Sequence, residues 1–127
     1  MDIQELRREA QTMQSQLTAD RRRLHRNPEA GAVLPETVAY VKERLTEMGY
    51  HPQELGGGLT ATVTGTDTGR CILLRADMDA LRGQEQSGLS FRSENGCMHA
   101  CGHDMHTAML LGAAKLLRGY QSKLNGT

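Results

Sequence analysis

The densest chemistry in this sequence lies in Cys97-Met98-His99-Ala100-Cys101-Gly102-His103-Asp104-Met105-His106, where thiols, imidazoles and a carboxylate follow one another closely. Each is a ligand type for a borderline-soft divalent ion such as zinc. Cys101 and His103 form the tightest pair. The single Gly102 between them lets both side chains point the same way from an extended or turning backbone. A helix is expected to begin immediately afterwards. Its N-terminal amides and dipole favour a thiolate at Cys101 and disfavour imidazolium at His103, leaving that ring free to ligate. A lone Cys or His is usually a core residue, but so many donors in one Gly-containing loop point to metal. Local spacing fits a structural ion closed by four protein ligands. It fits equally a catalytic ion with a position left open for water.

A second constellation is Arg75-Ala76-Asp77-Met78-Asp79-Ala80-Leu81. Asp77 and Asp79 lie two apart, hence on one face of an extended chain. They follow Cys71-Ile72-Leu73-Leu74, a continuous apolar run expected to form a strand buried on both faces. Open α/β sheets place their sites beyond the carboxyl ends of such strands. Carboxylates there could bind metal directly or orient a ligand histidine. A strand simply leaving the core for solvent would show the same residues. The third feature, His25-Arg26-Asn27-Pro28-Glu29, reads as a helix end and a turn, with a capping or surface role.

The elements that must position these groups follow from periodicity. Ile3, Leu6, Ala10, Met13 and Leu17 recur at helical spacing, predicting one amphipathic helix that runs on to Leu24 and His25 and stops before Asn27-Pro28. A second helix follows Pro35, with Val38, Val41, Leu45 and Met48 on one face and Gly49 to end it. Residues 50–55 suit an edge strand, since Pro52 cannot donate to a ladder. Gly56-Gly57-Gly58 is a turn, and residues 59–64 alternate Thr with apolar side chains as a half-buried strand does. Residues 65–69 are expected to turn the chain back antiparallel. A polar loop spans residues 82–96, and a last helix runs from residues 104–107 to about 117. Helices and strands in this order predict an α/β fold with a sheet of mixed direction. Asn125-Gly126 looks like a connection leading to another element.

Composition narrows the function classes. At 127 residues the chain holds one modest domain. Fifteen Lys and Arg balance 15 Asp and Glu, so charge gives no argument for nucleic acid or an acidic membrane surface. The Arg21-Arg22-Arg23 run, with Asp20 and Glu29 nearby, reads as a solvated helix face. One Phe and three Tyr leave little for stacking bases or sugars. The charged N-terminus has no signal-peptide pattern, and no apolar stretch approaches the roughly 20 residues of a membrane span. Three cysteines, Cys71, Cys97 and Cys101, form an odd set that points to a reducing cytoplasm.

Taken together, three segments resemble the M20 peptidase family, in particular its N-acyl-amino-acid amidohydrolase branch, which includes hippurate hydrolase and indole-acetyl-amino-acid hydrolase. Leu24-His25-Arg26-Asn27-Pro28-Glu29 is similar to the family's Leu-His-Arg-His-Pro-Glu, with Asn where His is usual. Leu74-Arg75-Ala76-Asp77-Met78-Asp79-Ala80-Leu81 is similar to its strand end, and residues 98–108 to its metal motif. The likeness runs over residues 24–127. Arg82-Gly83 departs from the usual Pro-Ile, which alters a loop of the active site.

The resemblance implies an α/β fold, a mixed sheet with flanking helices, forming the N-terminal part of a Zn-peptidase-like catalytic domain. The lid or dimerisation domain and the C-terminal part of the catalytic domain would be absent. It implies two divalent ions (zinc, manganese, cobalt or nickel) and Cys101 and His103 as ligands. Asp79 would support the metal centre. Asp77 stands where many relatives have a ligand His, and Asp77, Asp104, His99 and His106 are candidates for supporting or substitute roles. The implied reaction is hydrolysis of the amide bond of an N-acyl amino acid or short peptide by metal-activated water. The implied enzyme is cytoplasmic and a homodimer or homotetramer, without nucleic-acid or membrane partners. The family's Glu-Glu pair, which holds its general base, has no match here: no Glu follows Glu94. The chain alone is therefore expected to be inactive. Two other readings are a stand-alone Cys/His metal-binding module and a non-functional truncated remnant.

Overall fold

The computed structural model describes residues 2–66 and 69–127. The N-terminal helical stretch is two helices rather than one: α1 (Ile3–Thr12) and α2 (Gln14–Arg26). Asp2 caps α1 by accepting from the Gln4 amide at 3.0 Å. The break falls at Met13, directly after Thr12 turns its hydroxyl onto the Glu9 carbonyl at 2.6 Å. Such back-bonding competes with the helical ladder and bends it.

Helix α3 (Pro35–Glu47) starts with proline at a position that needs no amide donor. Its free first-turn amides find the Glu29 carboxylate, from Glu36 at 3.2 Å and Thr37 at 2.6 Å. Glu29 thus has the capping role expected of its segment. Gly49, with φ of +86°, turns the chain out of the helix. The hairpin β1 (Gln53–Leu55) and β2 (Gly58–Thr60) follows in antiparallel register, tied by the predicted glycine turn. The second strand is shorter than expected. Residues 61–65 leave the ladder, although Val63 still packs on the core.

The expectation of a buried strand at residues 71–74 is corrected. Among the described residues the segment joins no strand ladder, and Ile72 and Leu73 are 78% and 84% exposed. Burying an apolar run on both faces requires flanking strands and covering helices. Here the chain's last residues lie alongside instead. The Ile72 amide donates to Thr127 at 2.8 Å, and Thr127 donates to Arg70 at 2.9 Å. A parallel bridge pairs Thr66 with Asn125. The expected turn at residues 65–69 includes Asp67 and Thr68, which lie outside the described residues.

Beyond this run the backbone is anchored again. Ala80 forms a parallel bridge with Ala30, and its amide donates to Glu29 at 2.7 Å. The short β3 (Leu81–Arg82) then pairs antiparallel with β4 (Cys97–Met98), closing the intervening loop. Helix α4 (His103–Gly119) is the central element and packs most closely against α2. Gly112 makes that approach possible, because a Cβ there would lie 2.8 Å from Leu17. Leu24, Val41, Leu45, Tyr50 and Leu111 form the buried core. Asp20, fully buried, accepts from Tyr40 at 2.6 Å and Arg44 at 2.9 Å, tying α2 to α3. Desolvation and the Asp20 carboxylate together raise the Tyr40 pKa. Antiparallel ladders and parallel bridges together give the mixed α/β character expected from the sequence.

Candidate metal centre

His103 is the first residue of α4, and Gly102 before it adopts φ of +81°. That left-handed residue breaks the chain direction sharply enough to turn a strand into a helix. The turn aims His103 at the segment between residues 77 and 79. Its Nδ1 lies 2.8 Å from the Asp79 carbonyl oxygen and 2.9 Å from Asp79 Oδ1. A carbonyl oxygen only accepts, so the proton sits on Nδ1 and the Nε2 face is turned away from Asp79. A carboxylate holding one ring nitrogen so that the other is presented is the usual support of a metal-ligating histidine. His103 Nε2 faces Asp77 Oδ2 at 3.4 Å.

Asp77 is shared. Its Oδ1 lies 2.7 Å from His106 Nδ1, and its backbone carbonyl accepts from the Thr107 hydroxyl at 3.0 Å. The hydrogen bond from His106 is the main influence holding the Asp77 carboxyl below its ordinary range. One turn of helix brings the His103 and His106 rings to a stacked arrangement, 5.5 Å between centroids. One donor atom each from Asp77, His103 and His106 lies within 4.8 Å of the others. Two imidazoles and a carboxylate at this spacing suit a borderline divalent ion, so these residues fit the kind of metal the sequence predicts. Cys101 is exposed and Cys97 half-buried, and neither joins that group of donors.

His99 and Asp104 lie elsewhere. Asp104, 1% exposed, accepts on Oδ2 from Arg21 Nε at 2.8 Å and lies 2.7 Å from His25 Nδ1. His25 Nε2 lies 2.8 Å from Glu85 Oε1. The surface or capping role expected of the His25 segment is thus corrected for His25 itself, which is buried between two carboxylates. Glu85 also accepts from the Ser87 hydroxyl at 2.6 Å and the Ser93 amide at 2.7 Å. Burial opposes its charge, but these donors and His25 hold its carboxyl at about 2. Phe91 sits edge-on to His25, and the Arg21 and Arg22 guanidinium groups flank its ring at 5.1 and 4.8 Å. His99 is buried near His25, with both ring nitrogens unpartnered among the described residues. Burial pushes its pKa down.

Residue typing alone passed over Glu85 and the depth of His25. A signal existed for the histidine: Leu17, Leu24 and His25 fall on one face of α2. Nothing comparable marks Glu85, which reaches the network from the loop between β3 and β4.

Comparison with known proteins bears on the fold that carries these residues. The model of peptidase family M20/M25/M40 matches residues 73–127. An N-acetyl-L-cysteine deacetylase of Bacillus subtilis is 47% identical over 91% of this chain and 28% of its own length. An N-acyl-L-amino acid amidohydrolase of Geobacillus stearothermophilus is 38% identical over 99% of this chain and 35% of its own. The crystal structure of the Bacillus subtilis YXEP protein, a dinuclear metal binding peptidase from the M20 family, superposes with a TM-score of 0.86 at 38% identity. It matches 91% of this chain and 34% of that one. The chain therefore spans about a third of the length of the relatives it matches. Motif order, sequence identity and backbone superposition agree, and residues 73–127 carry the signature of peptidase family M20/M25/M40.

Proposed function

We propose that residues 1–127 supply the metal-facing, N-terminal part of the catalytic domain of an amide hydrolase acting on N-acyl amino acids or short peptides. The observation that carries this is the convergence of Asp77 and Asp79 on His103 at the start of α4. The sequence places these residues 24 and more positions from His103, and the fold brings Asp79 to 2.9 Å and Asp77 to 3.4 Å from its ring. The deacetylase and amidohydrolase names of the relatives support the substrate class.

In this reading Cys101 and His103 ligate, Asp79 fixes the His103 ring, and Asp77 lies at the cation. A pair of divalent ions, of zinc, manganese, cobalt or nickel type, would polarise the amide carbonyl and acidify a bound water. The general base, the lid or dimerisation domain and the rest of the catalytic domain belong to the part of the relatives' length that has no counterpart here. The same reading places the enzyme in the cytoplasm as a homodimer or homotetramer, without nucleic-acid or membrane partners. No helix among the described residues is long and apolar enough to cross a membrane. Glu85 is unavailable as a substitute base, because both its oxygens are committed inside the His25 network.

The test is release of free amino acid from N-acetyl and N-benzoyl substrates with added zinc, manganese or cobalt. A polypeptide of the relatives' length carrying residues 1–127 should turn over, and Cys101→Ala or His103→Ala should abolish this. The 127-residue chain by itself should show no turnover, since loss of a general base alone costs about 10²–10⁴-fold. Metal-dependent turnover by the 127-residue chain well above buffer, abolished by Cys101→Ala, would overturn the reading that residues 1–127 are only part of the catalytic site.

A further inference from the structure

Behind the metal-facing turn lies a cluster of buried charge to which the hydrolase reading gives no task. His25, Glu85 and Asp104 are 7%, 8% and 1% exposed. They join helix α2, the loop between β3 and β4, and the first turn of α4. We propose that His25 is a positioning residue for the metal ligand His103. As a buried imidazolium it clamps Asp104, the residue after His103, to Glu85 of the loop, and so sets the angle at which α4 presents the His103 ring. The inference deepens the hydrolase reading and takes from it that His103 is a ligand alongside Cys101.

The charge on His25 follows from its partners. Its Nδ1 lies 2.7 Å from Asp104 Oδ2, and its Nε2 lies 2.8 Å from Glu85 Oε1. Ionised carboxylate oxygens only accept, so each nitrogen must donate. A neutral ring would set one bare lone pair against an oxygen at contact distance. Neither carboxyl is placed to supply the missing proton. Glu85 is held ionised by the Ser87 hydroxyl and the Ser93 amide as well as by His25. Asp104 Oδ2 also accepts from Arg21 Nε at 2.8 Å. Arg21 Nη2 comes within 3.5 Å of His25 Nδ1, too long to compete with Asp104 for that nitrogen. Arg21 and His25 then balance Asp104 and Glu85, as buried ions require.

The clamp matters because nothing local fixes the start of α4. Gly102 offers no capping side chain and, lacking a Cβ at φ of +81°, leaves the direction of entry open. Thr107, one turn on, ties the helix to the Asp77 backbone. The first turn itself is held by two adjacent side chains that leave the helix roughly 100° apart. Asp104 reaches toward α2, and His103 toward residues 77–79. A rotation that loosens Asp104 therefore moves the His103 ring against Asp79. The Asp79 oxygens, at 2.8 and 2.9 Å, keep the His103 proton on Nδ1 and leave Nε2 bare for a metal. Slackening those contacts lets the proton pass to Nε2 and blocks the ligating atom. Glu85 has no contact with His103 of its own among the described residues and acts on it through His25.

The test is nitrogen NMR of the imidazole rings in the 127-residue chain at neutral pH, which needs neither metal nor turnover. In the wild type, His25 should show both nitrogens protonated and His103 a proton on Nδ1 alone. Glu85→Gln keeps the side-chain shape and removes the charge that His25 Nε2 faces. His25 should then become singly protonated in part of the population. His103 should shift toward its Nε2-protonated form, while the core methyl signals of Leu45 and Leu111 stay in place. Cobalt(II) affinity, measured against a competing chelator, should fall about tenfold, the low end of the cost of losing support behind a metal-ligating histidine. A chain that binds no cobalt leaves the decision to the His103 spectrum. A singly protonated His25 in the wild type would overturn the clamp, whether or not the variant folds. A Glu85→Gln chain that is less stable but keeps the wild-type His103 spectrum would reduce the network to a structural tie and overturn the positioning role. Conversely, the expected spectra in a protein of the relatives' length that hydrolyses no amide would sink the hydrolase reading alone.

Discussion

Replacing His25 by Ala should destabilise the chain more than any surface substitution, because the ring holds two buried carboxylates at once. The ring meets Asp104 at 2.7 Å and Glu85 at 2.8 Å. Removing it leaves Glu85 its Ser87 and Ser93 donors, so that carboxylate loses only part of its support. Asp104 fares worse. Arg21 remains on Oδ2, but Oδ1 has no partner among the described residues. Each hydrogen bond to a charged group is worth about 1.5–3 kcal/mol, and breaking a buried ion pair from one side costs about 3–5 kcal/mol. The donors that remain place the loss near the lower bound, at about 3 kcal/mol. Against a total stability of about 5–15 kcal/mol this is a large fraction. A chain of this length loses roughly 3–5 °C per kcal/mol, so the midpoint should fall by about 10 °C. Urea unfolding followed by circular dichroism should show a lower midpoint at unchanged slope. A double-mutant cycle with Glu85→Gln should return a coupling above about 0.5 kcal/mol, the scatter seen for independent sites. A His25→Ala chain within about 0.5 kcal/mol of wild type, the range of surface changes, would refute the reasoning.

Two other outcomes follow from the same structure. Glu85 has a folded value of about 2 against an ordinary 4.5. Its charge therefore stabilises the fold fully above pH 4.5, and that contribution is lost as pH falls through about 2. Acid titration of stability should steepen over that window in the wild type and flatten in Glu85→Gln. Gly65→Ala would set a Cβ 2.3 Å from the Leu124 carbonyl and 2.6 Å from that of Gln121, both backbone atoms. The segment should detach or shift, costing about 1–3 kcal/mol, measurable as loss of amide-exchange protection at Gly65 and Thr66.

Much of the helical frame was legible because its signals are local. Pro35 and Gly49 bracket α3, and the glycine turn sets the first hairpin. The break at Met13 escaped because it depends on where one hydroxyl points, which apolar spacing does not record. The run Cys71-Ile72-Leu73-Leu74 has the composition of a buried strand, but burial needs neighbours that composition cannot supply. At the candidate site, the residue types and the pairing of Asp77 with Asp79 on one face could be read directly. The partnership of His106 with Asp77 could not, since it depends on how α4 lies against the extended segment. The depth of His25 was half legible from its helix face, whereas its meeting with Glu85 spans 60 residues of chain.

The open run at residues 72–74 bears on how this chain behaves in bulk. With formal charge zero, copies approaching one another meet no long-range repulsion. Whatever brings two chains together also brings together two uncharged β-prone segments whose outer faces are bare. Edge-to-edge pairing then satisfies backbone groups and removes apolar surface in one step, which is how sheet proteins nucleate aggregates. Ile72, Leu73 and Leu74 thus add three consecutive exposed apolar side chains to the surface through which copies of the chain can associate. Leu73→Lys would place a charge in the middle of that run, where residue 73 is 84% exposed, and should lower the rate of aggregation.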